Sequence, residues 1–493
     1  MHQEAPGTTR SIRASSNVKV FRSHPDGLLA GDNPATPSGD SLKPPTPIRI
    51  ATLGGVLAIC VLIGGHVWIK LTHLPVTGVT ALYTAAISTY VLSRFALAAF
   101  YRSPRDVGLE PTVAIVVPAY NEGPSIARTM LSCLTLDYPA DKLEIVLVND
   151  GSTDDTWEHM LSALSESAEI GAAAREATAA PPRKASVVQV GRVRCINFAT
   201  NRGKRAAMAA GIRGTTAEIL LFIDSDSAPA EGSLRKLVRG FADSKVGAIS
   251  GLTHARNART NLLTAMQATR YYVSFQLLKS AESVLGAVVC CSGCFAAYRR
   301  SAVEPLLESW ENQRFLGVAC TYGDDRALTN SLLRSGWITR FDCEAEAWTD
   351  VPERYGKFFR QQLRWKKSWA REGPILLTHI WRTRPRAFPS VLIATLAGML
   401  SPLVLLYNAL EPLRHPGTSP LIYLIGLYFV SVAYALLYRG LRSDGLWPYV
   451  ILGTWFYVAF SAQLLWAIVR LKDGAWGTRG LVGSGLRKVP ENA

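Results

Sequence analysis

The sequence predicts an α/β fold in which a doubly wound domain is embedded between transmembrane helices. Long apolar runs lie near both ends of the 493-residue chain, and between them short apolar runs alternate with helical stretches. Hydrophobic residues make up 48% of the chain and charged residues only 18%, so part of it is expected to sit in lipid. The length leaves room for two or three domains.

Two apolar runs, Ile50–Ile69 and Val76–Phe100, predict a membrane hairpin over residues 47–101. Each run is long enough to cross a hydrocarbon core of about 30 Å. Basic residues precede the first run and follow the second, so the positive-inside rule places both outer ends in the cytoplasm. Residues 1–46 are rich in Pro, Gly, Ser and Thr and are expected to form a disordered cytosolic tail.

A cytosolic α/β domain is expected over residues 110–386. The predicted buried strands are Val113–Val117, Ile145–Val148, Val193–Asn197 and Ile219–Ile223, and the predicted helices are Ser125–Leu134, Asp155–Leu164 and Gly203–Ile212. Alternation of this kind is typical of a doubly wound sheet with buried parallel strands. The Ala-rich residues 165–186 are expected to form an exposed insertion.

Three further apolar runs, Phe388–Leu410, Pro420–Tyr438 and Trp447–Val469, fill residues 387–469 and bring the hydropathy count to five spans. Five spans would place residues 470–493 outside, although their five basic residues favour the cytoplasm. One run is therefore expected not to cross. Trp447–Val469 has the Trp, Tyr, Ser and Gln content of an interfacial helix, and Pro402 makes Phe388–Leu410 the second candidate, so the count is four or five.

The net charge of +15 and the eight cysteines exclude some classes of function. Basic residues are spread along the chain without an aromatic-basic motif, so nucleic acid is not expected as a partner. A membrane surface with anionic lipid and anionic substrates explain the charge better. Cys290, Cys291 and Cys294 provide one CxxC spacing without a second, which disfavours zinc and favours buried, reduced thiols.

Three predicted strands are followed by segments that carry carboxylates: Pro118–Glu122, Asn149–Asp155 and Asp224–Ser227. Ligands of open α/β sheets bind at this carboxyl edge. The ordinary alternative for a single Asp there is a helix cap, and it stays open for Asp154. Asp224 and Asp226, two residues apart after an apolar strand, form a pair of hard oxygen ligands suited to Mg²⁺ or Mn²⁺.

A divalent cation at this edge would suit the diphosphate of a nucleotide-sugar, whose charge must be neutralised as the sugar leaves. Lys204 and Arg364 are the candidate cationic side chains for this task. The sequence contains neither a GxxxxGK[ST] loop nor a GxGxxG loop, which disfavours a kinase, an ATPase or a dehydrogenase.

Two motifs further along the chain suit an acceptor site. Asp324 and Asp325 in GDDR precede a predicted helix, and an acid in a partly dehydrated cleft can act as a general base towards a sugar hydroxyl. A solvated loop is the alternative. In QQLRW, Trp365 can stack on a sugar while Arg364 pairs with phosphate, although this stretch also suits a basic amphipathic helix on a membrane surface.

In order along the chain, the segments PAYNE, VNDGSTDD, DSDS, GDDR and QxxRW resemble those of the processive family-2 glycosyltransferases, over residues from about 110 to 479. The resemblance implies a GT-A fold, inversion at the anomeric carbon, and secretion of the polymer through the enzyme's own membrane helices. It implies these roles: Asp325 as the catalytic base; Ala119, Tyr120, Glu122, Asp150, Lys204, Asp224 and Arg364 at the nucleotide-sugar; Asp226 on the metal; and Trp365, Gln361, Asp324, Trp476 and Arg479 at the acceptor and channel.

Two branches of that family compete. Residues 287–301, AVVCCSGCFAAYRRS, resemble rhizobial chito-oligosaccharide synthases, which use UDP-GlcNAc alone. GDDRALTN, QQLRWKKS and the WGTR motif that ends at Arg479 resemble hyaluronan synthases, which use UDP-GlcNAc and UDP-glucuronate and in which WGTR forms a gating loop. Cys294 stands where hyaluronan synthases usually have Pro. Hyaluronan synthase is the favoured interpretation; another β-glycan, a non-processive lipid-linked sugar transferase and a non-catalytic scaffold are further alternatives.

Overall fold

A mixed nine-stranded sheet forms the centre of the computed structural model, which describes residues 46–73, 78–166, 186–414 and 421–473. Its strands are β1 (Val113–Ala119), β2 (Leu143–Asn149), β3 (Ser186–Val190), β4 (Val193–Asn197), β5 (Ile219–Phe222), β6 (Ser227–Pro229), β7 (Val246–Ala255), β8 (Ala296–Arg299) and β11 (Ile338–Thr349), in the spatial order β3-β4-β2-β1-β5-β8-β7-β11-β6. A small separate hairpin consists of β9 (Arg314–Phe315) and β10 (Val318–Ala319).

The helices of the sheet domain lie on both faces of this sheet or follow it along the chain. They are α3 (Gly123–Leu134), α4 (Thr156–Glu166), α5 (Lys204–Arg213), α6 (Ser233–Arg239), α7 (Leu262–Val273), α8 (Ser280–Val284), α9 (Arg300–Val303), α10 (Leu307–Glu311), α11 (Asp324–Arg334) and α12 (Tyr355–Thr383). The apolar runs before and after this domain form α1 (Thr46–His73), α2 (Gly78–Ala99), α13 (Phe388–Arg414), α14 (Leu421–Leu441), α15 (Trp447–Ala459) and α16 (Gln463–Val469).

The predicted parallel strands are confirmed. β4, β2, β1 and β5 are neighbours and pair in parallel. The other half of the sheet is mixed, because β8 runs antiparallel to both β5 and β7. The connection from β7 to β8 begins and ends at the carboxyl edge of the parallel strands, so β8 has to run back across the sheet.

Both faces of the sheet are buried, which explains why its central strands are continuously apolar. In β1, Val113, Ile115 and Val117 point into one core with α3 and α4. Ala114 and Val116 point to the opposite face, into a second core that includes α5 and side chains of α2, α14 and α15. The sheet and the apolar helices therefore share this second hydrophobic core.

Among the described residues, four helical segments are long and apolar enough to cross a membrane: Leu82–Ala99, Phe388–Leu410, Tyr423–Leu441 and Trp447–Val469. A shorter apolar stretch, Thr52–Gly65, lies within α1. The last of the four segments is not one straight helix, since a 3₁₀ turn at Phe460–Ala462 separates α15 from α16. That one C-terminal run does not cross the membrane stays a prediction.

Several features that the sequence predicts lie outside the residues that the structure describes. They are the N-terminal tail up to residue 45, residues 167–185 of the predicted insertion, and the C-terminal residues from 474 onward, which include Trp476 and Arg479.

Candidate functional site

Lys204 joins the two acidic motifs. It is the first residue of α5, and its Nζ lies 2.6 Å from Asp224 Oδ1 and 3.2 Å from Asp324 Oδ2. Burial alone would lower the pKa of Lys204, but these two carboxylates raise it, so the ammonium group stays charged. Burial would likewise raise the pKa of Asp324, but the charges of Lys204 and Arg205 outweigh it and hold that pKa below its usual value.

Asp150 holds the loop that presents Lys204. Its two carboxylate oxygens accept hydrogen bonds from the backbone N–H groups of Arg202, at 2.7 Å, and of Gly203, at 2.9 Å. The neighbouring Gly151 has φ +64°, and a Cβ atom there would lie 2.3 Å from the carbonyl carbon of Thr200. The VNDGS segment at the end of β2 and the NRGK segment at the start of α5 are thus packed against each other.

Asp226 is the most strongly perturbed carboxylate of this edge. Its Oδ1 accepts a hydrogen bond from Thr349 Oγ1 at 3.1 Å. Burial, with the negative charges of Asp224 and Glu122, raises the pKa of Asp226 to about 7. These half-buried carboxylates repel one another, and hard oxygens so arranged suit a divalent cation, which would supply the missing positive charge. Within the described residues, no compact set of three or more His, Cys, Asp or Glu side chains forms a complete metal site, so water or substrate oxygens would have to complete the coordination.

Asp325 is placed differently from its neighbour Asp324. It lies in the first turn of α11 and is half-buried, and the thiol of Cys290 contacts its Oδ2 at 3.5 Å. A second thiol, that of Cys294, contacts Asp224 Oδ2 at 3.4 Å. Burial, followed by the charges of Asp224 and Asp226, raises the pKa of Cys294 well above its ordinary value, so it is a neutral donor here.

An aromatic pair extends the site towards α12. The rings of Tyr271 on α7 and Trp365 on α12 are 6.1 Å apart, and Trp365 is 40% exposed. Tyr271 is close enough to the cluster that, besides burial, the charges of Asp226 and Asp224 raise its pKa. Tyr271 thus packs beside the exposed Trp365 ring, which is a suitable platform for a sugar.

The loop that carries Asp324 and Asp325 is fitted closely against α12. Gly323 has φ +71°, and a Cβ atom there would lie 2.0 Å from Ser368 Oγ, so only glycine fits. The indole of Trp310 donates a hydrogen bond to the Asp324 carbonyl at 2.9 Å. The GDDR motif and the QxxRW helix are thus in direct contact.

The structure brings many of the candidate residues to one edge of the sheet. Contacts or charge interactions join Asp224, Asp226, Lys204, Asp324, Asp325 and Glu122. Ala119 ends β1 and accepts a hydrogen bond from the backbone N–H of Asp150, and Tyr120 follows it. Gln361, Arg364 and Trp365 share α12.

Three residues of the site, Thr349, Tyr271 and Cys290, are not among the predicted site residues. Thr349 ends β11 at the edge where ligands bind, but β11 is not evident in the sequence. Cys290 is expected from the sequence to be a buried thiol, and its contact with Asp325, like the position of Tyr271, depends on how α7 and the loop before β8 fold back over the sheet.

The chain matches the family model described as glycosyltransferase like family 2 over residues 111–368. It is 32% identical over 305 residues to a hyaluronan synthase of Streptococcus pyogenes, covering 62% of this chain and 68% of that protein. It is also 32% identical over 323 residues to an N-acetylglucosaminyltransferase of Neorhizobium galegae, covering 63% and 69%.

Among solved structures, the chain resembles the mannosyltransferase PcManGT of Pyrobaculum calidifontis in complex with GDP-Man and Mn²⁺. The TM-score is 0.56 and the sequence identity 22%, with 84% of this chain and 98% of that chain covered. At this identity the likeness concerns the fold, which is of the GT-A type.

Proposed function

Because the chain belongs to glycosyltransferase family 2, we propose that it is a membrane-bound, processive, inverting β-glycosyltransferase that makes and secretes hyaluronan from UDP-GlcNAc and UDP-glucuronate. The observation that carries this proposal is the ammonium group of Lys204, which joins the first Asp of DSDS to the first Asp of GDDR. This ion-pair arrangement holds the two motifs at a fixed distance and places a fixed positive charge where the diphosphate of a nucleotide-sugar would leave.

Mg²⁺ or Mn²⁺ is the proposed cofactor, with Asp226 as its ligand and Asp224 beside it. A bound cation would neutralise charge on the departing diphosphate. The mutual repulsion of these half-buried carboxylates supports this assignment, as does the Mn²⁺ named in the mannosyltransferase complex. We expect excess EDTA to abolish transfer and Asp226→Asn to abolish it without loss of membrane insertion. Full activity in EDTA would contradict the assignment.

For the nucleotide, we assign Ala119, Tyr120, Glu122 and Asp150 to the uridine side. Lys204 and Arg364 face the diphosphate. The two backbone hydrogen bonds of Asp150 give it a second task, which is to hold the loop of Lys204 at the phosphates.

The transfer step needs one base. Asp325 takes the proton from the acceptor hydroxyl, whose oxygen forms the new bond to the anomeric carbon from the side opposite UDP. The bond between the anomeric carbon and the diphosphate oxygen breaks, UDP leaves with that electron pair, and the configuration is inverted. Trp365 packs on the acceptor sugar, with Gln361 and Asp324 nearby.

Export of the product through the membrane helices is part of this proposal, and it is supported by the core that the sheet shares with α2, α14 and α15. A cavity of about 50 Å³ lies between α2, α11, α12 and α13, and its lining includes Tyr90, Glu282, Arg326, Trp369 and Ser390. This volume is far below that of a ligand pocket, so helices would have to move apart for a saccharide to pass there. For the product to leave by this route, the catalytic domain would lie on the cytoplasmic face of the cell membrane.

The second candidate is a chitin or chito-oligosaccharide synthase, favoured by the CCSGC segment and by the N-acetylglucosaminyltransferase relative. Reconstituted protein should be given UDP-GlcNAc with and without UDP-glucuronate, and the product treated with hyaluronidase or chitinase. We expect long polymer only with both donors, digested by hyaluronidase. Chitinase-sensitive product from UDP-GlcNAc alone would favour the second candidate, and a single transferred sugar would favour a non-processive enzyme.

A further inference from the structure

The last described residues of the chain are docked beside the loop of the proposed base. Tyr322, directly before Gly323, donates a hydrogen bond from its hydroxyl to the carbonyl oxygen of Leu471 at 2.7 Å. Lys367 on α12 donates to the carbonyl oxygen of Asp473. Two backbone carbonyls of the segment Leu471–Asp473 thus accept hydrogen bonds from side chains that lie next to the GDDR motif and on α12.

The ring of Tyr322 lies against two cations. Lys367 Nζ is 4.5 Å and Arg371 Cζ is 4.8 Å from the ring centroid, and all three side chains are buried. Arg371 also donates to the Tyr322 carbonyl at 2.8 Å and pairs with Glu372. Burying two cations is costly unless each is well placed, so this arrangement fixes the ring and the start of the GDDR loop to α12.

We propose that Tyr322 is a positioning residue that ties the segment Leu471–Asp473 to the GDDR loop, so that docking of this segment and binding of the nucleotide favour each other. The connection runs from Leu471 through Tyr322 and the backbone of Gly323 to Asp324, whose carboxylate contacts Lys204. The inference rests on the proposed function only in taking Lys204 as a ligand of the diphosphate.

Tyr322→Phe tests the tie, since it removes the hydroxyl and keeps the ring between Lys367 and Arg371. Hydrogen–deuterium exchange of the peptide containing Leu471–Asp473 should be measured on full-length protein in detergent, first without ligand. We expect exchange to be about two- to tenfold faster than in the wild type, the factor for one ordinary hydrogen bond. Unchanged exchange would overturn the inference, whatever the enzyme makes.

The link to the nucleotide is tested next with UDP and Mn²⁺. In the wild type these should slow exchange of the same peptide. In Tyr322→Phe, UDP should slow the exchange of this peptide less than it does in the wild type. Because coupling between two sites is reciprocal, the Kd for UDP should rise by the same factor by which this slowing is reduced. A wild type that binds UDP without any change at Leu471–Asp473 would overturn the link, whereas a wild type that does not bind UDP would overturn the proposed function instead.

Tyr138→Phe is a matched control. Tyr138 is also buried, donates its hydroxyl to a backbone carbonyl, that of Pro111 at 2.6 Å, and has a cation, Arg235, over its ring. It lies in the first core of the sheet, away from α12. This variant should leave both the exchange of Leu471–Asp473 and the UDP affinity unchanged. If it reproduced the effect of Tyr322→Phe, the change would reflect general loosening of the domain and the inference would fail.

Discussion

Adjacent carboxylates in one motif have different surroundings. Asp324 is buried and held by Lys204, and its pKa lies below the usual value. Asp325, one residue later, is half-buried and contacts the neutral thiol of Cys290. A carboxylate that is already paired with a cation is a poor proton acceptor, so the base assignment to Asp325 agrees with these surroundings. The sequence alone could name the pair but could not describe these surroundings, because Lys204 lies 120 residues away along the chain.

Asp325→Asn tests this assignment. The variant keeps the size of the side chain and most hydrogen bonds but cannot accept the proton, so turnover should fall by about 10²–10⁴, the usual effect of losing a general base. The affinity for UDP, measured by calorimetry, should stay near the wild-type value. A variant that retains more than about a tenth of the wild-type turnover would remove Asp325 from the mechanism, since such a loss is smaller than general-base catalysis provides.

Asp324→Asn is the paired comparison. This substitution removes the negative charge opposite Lys204. We therefore expect it to change the affinity for UDP by a larger factor than the rate of the transfer step, and to lower turnover less than Asp325→Asn does. Loss of UDP binding in Asp325→Asn instead would mean that Asp325 belongs to the nucleotide site.

Among the secondary-structure elements, four of the nine strands of the sheet could be predicted from the sequence. β1, β2, β4 and β5 are short apolar runs bounded by turn residues, and their burial on both faces makes them visible in the sequence. β11 carries polar and charged residues, and its register against β7 shifts between Asp342 and Glu346, so neither alternation nor a continuous apolar run appears. β8 is a four-residue strand, too short for a pattern.

The contact between the GDDR loop and α12 can be tested at Gly323. Gly323→Ala places a Cβ atom at positive φ and 2.0 Å from Ser368 Oγ, so the loop or α12 must shift. The left-handed backbone conformation alone should lower the free energy of unfolding by roughly 1–2 kcal/mol. Because Asp325 would also be displaced, turnover should fall severalfold more than the lost stability explains. Thermal unfolding and turnover, measured on the same preparation, separate the two effects.

Gly336→Ala is the control for this prediction. Gly336 follows the other end of α11 and has φ +84°, but a Cβ atom there would have no neighbour within 4 Å. The control carries the same backbone strain without the collision with α12, so it should lose a similar amount of stability and little activity. Equal loss of activity in both variants would show that strain in α11, not its fit to α12, controls the site.

At the scale of the whole molecule, the catalytic sheet and the apolar helices fold as one body. The second core contains sheet residues such as Val116 and Phe222 together with Val91 of α2, Tyr434 of α14 and Val450 of α15. The proposed product, formed at the carboxyl edge of this sheet, would therefore be released at a fixed position relative to the apolar helices. A shared core of this kind does not follow from hydropathy, which identifies each apolar run separately.

The membrane topology of the C-terminus depends on whether the segment Trp447–Val469 crosses the membrane. By length and composition this segment is able to cross a membrane. However, a turn at Phe460–Ala462 interrupts it, and both of its halves pack against α12 of the catalytic domain. Phe456 and Phe460 pack around Phe358 of α12, and Leu464 and Ala467 pack with Ala370 of the same helix.

The helices α15 and α16, which lie before and after the turn at Phe460–Ala462, both pack against α12. This packing keeps them beside the catalytic domain, which favours a position at the membrane interface over a membrane-spanning one. Together with the basic residues of 470–493, this predicts that a reporter fused after Lys488 is cytoplasmic. Replacing all five basic residues (Arg470, Lys472, Arg479, Arg487 and Lys488) by Gln should leave that location unchanged, because packing on α12 fixes it. A reporter that becomes extracellular in this variant would mean that charge alone sets the location. A reporter after Lys488 that is found outside the cell would mean that Trp447–Val469 does cross, and then the chain would have five spans.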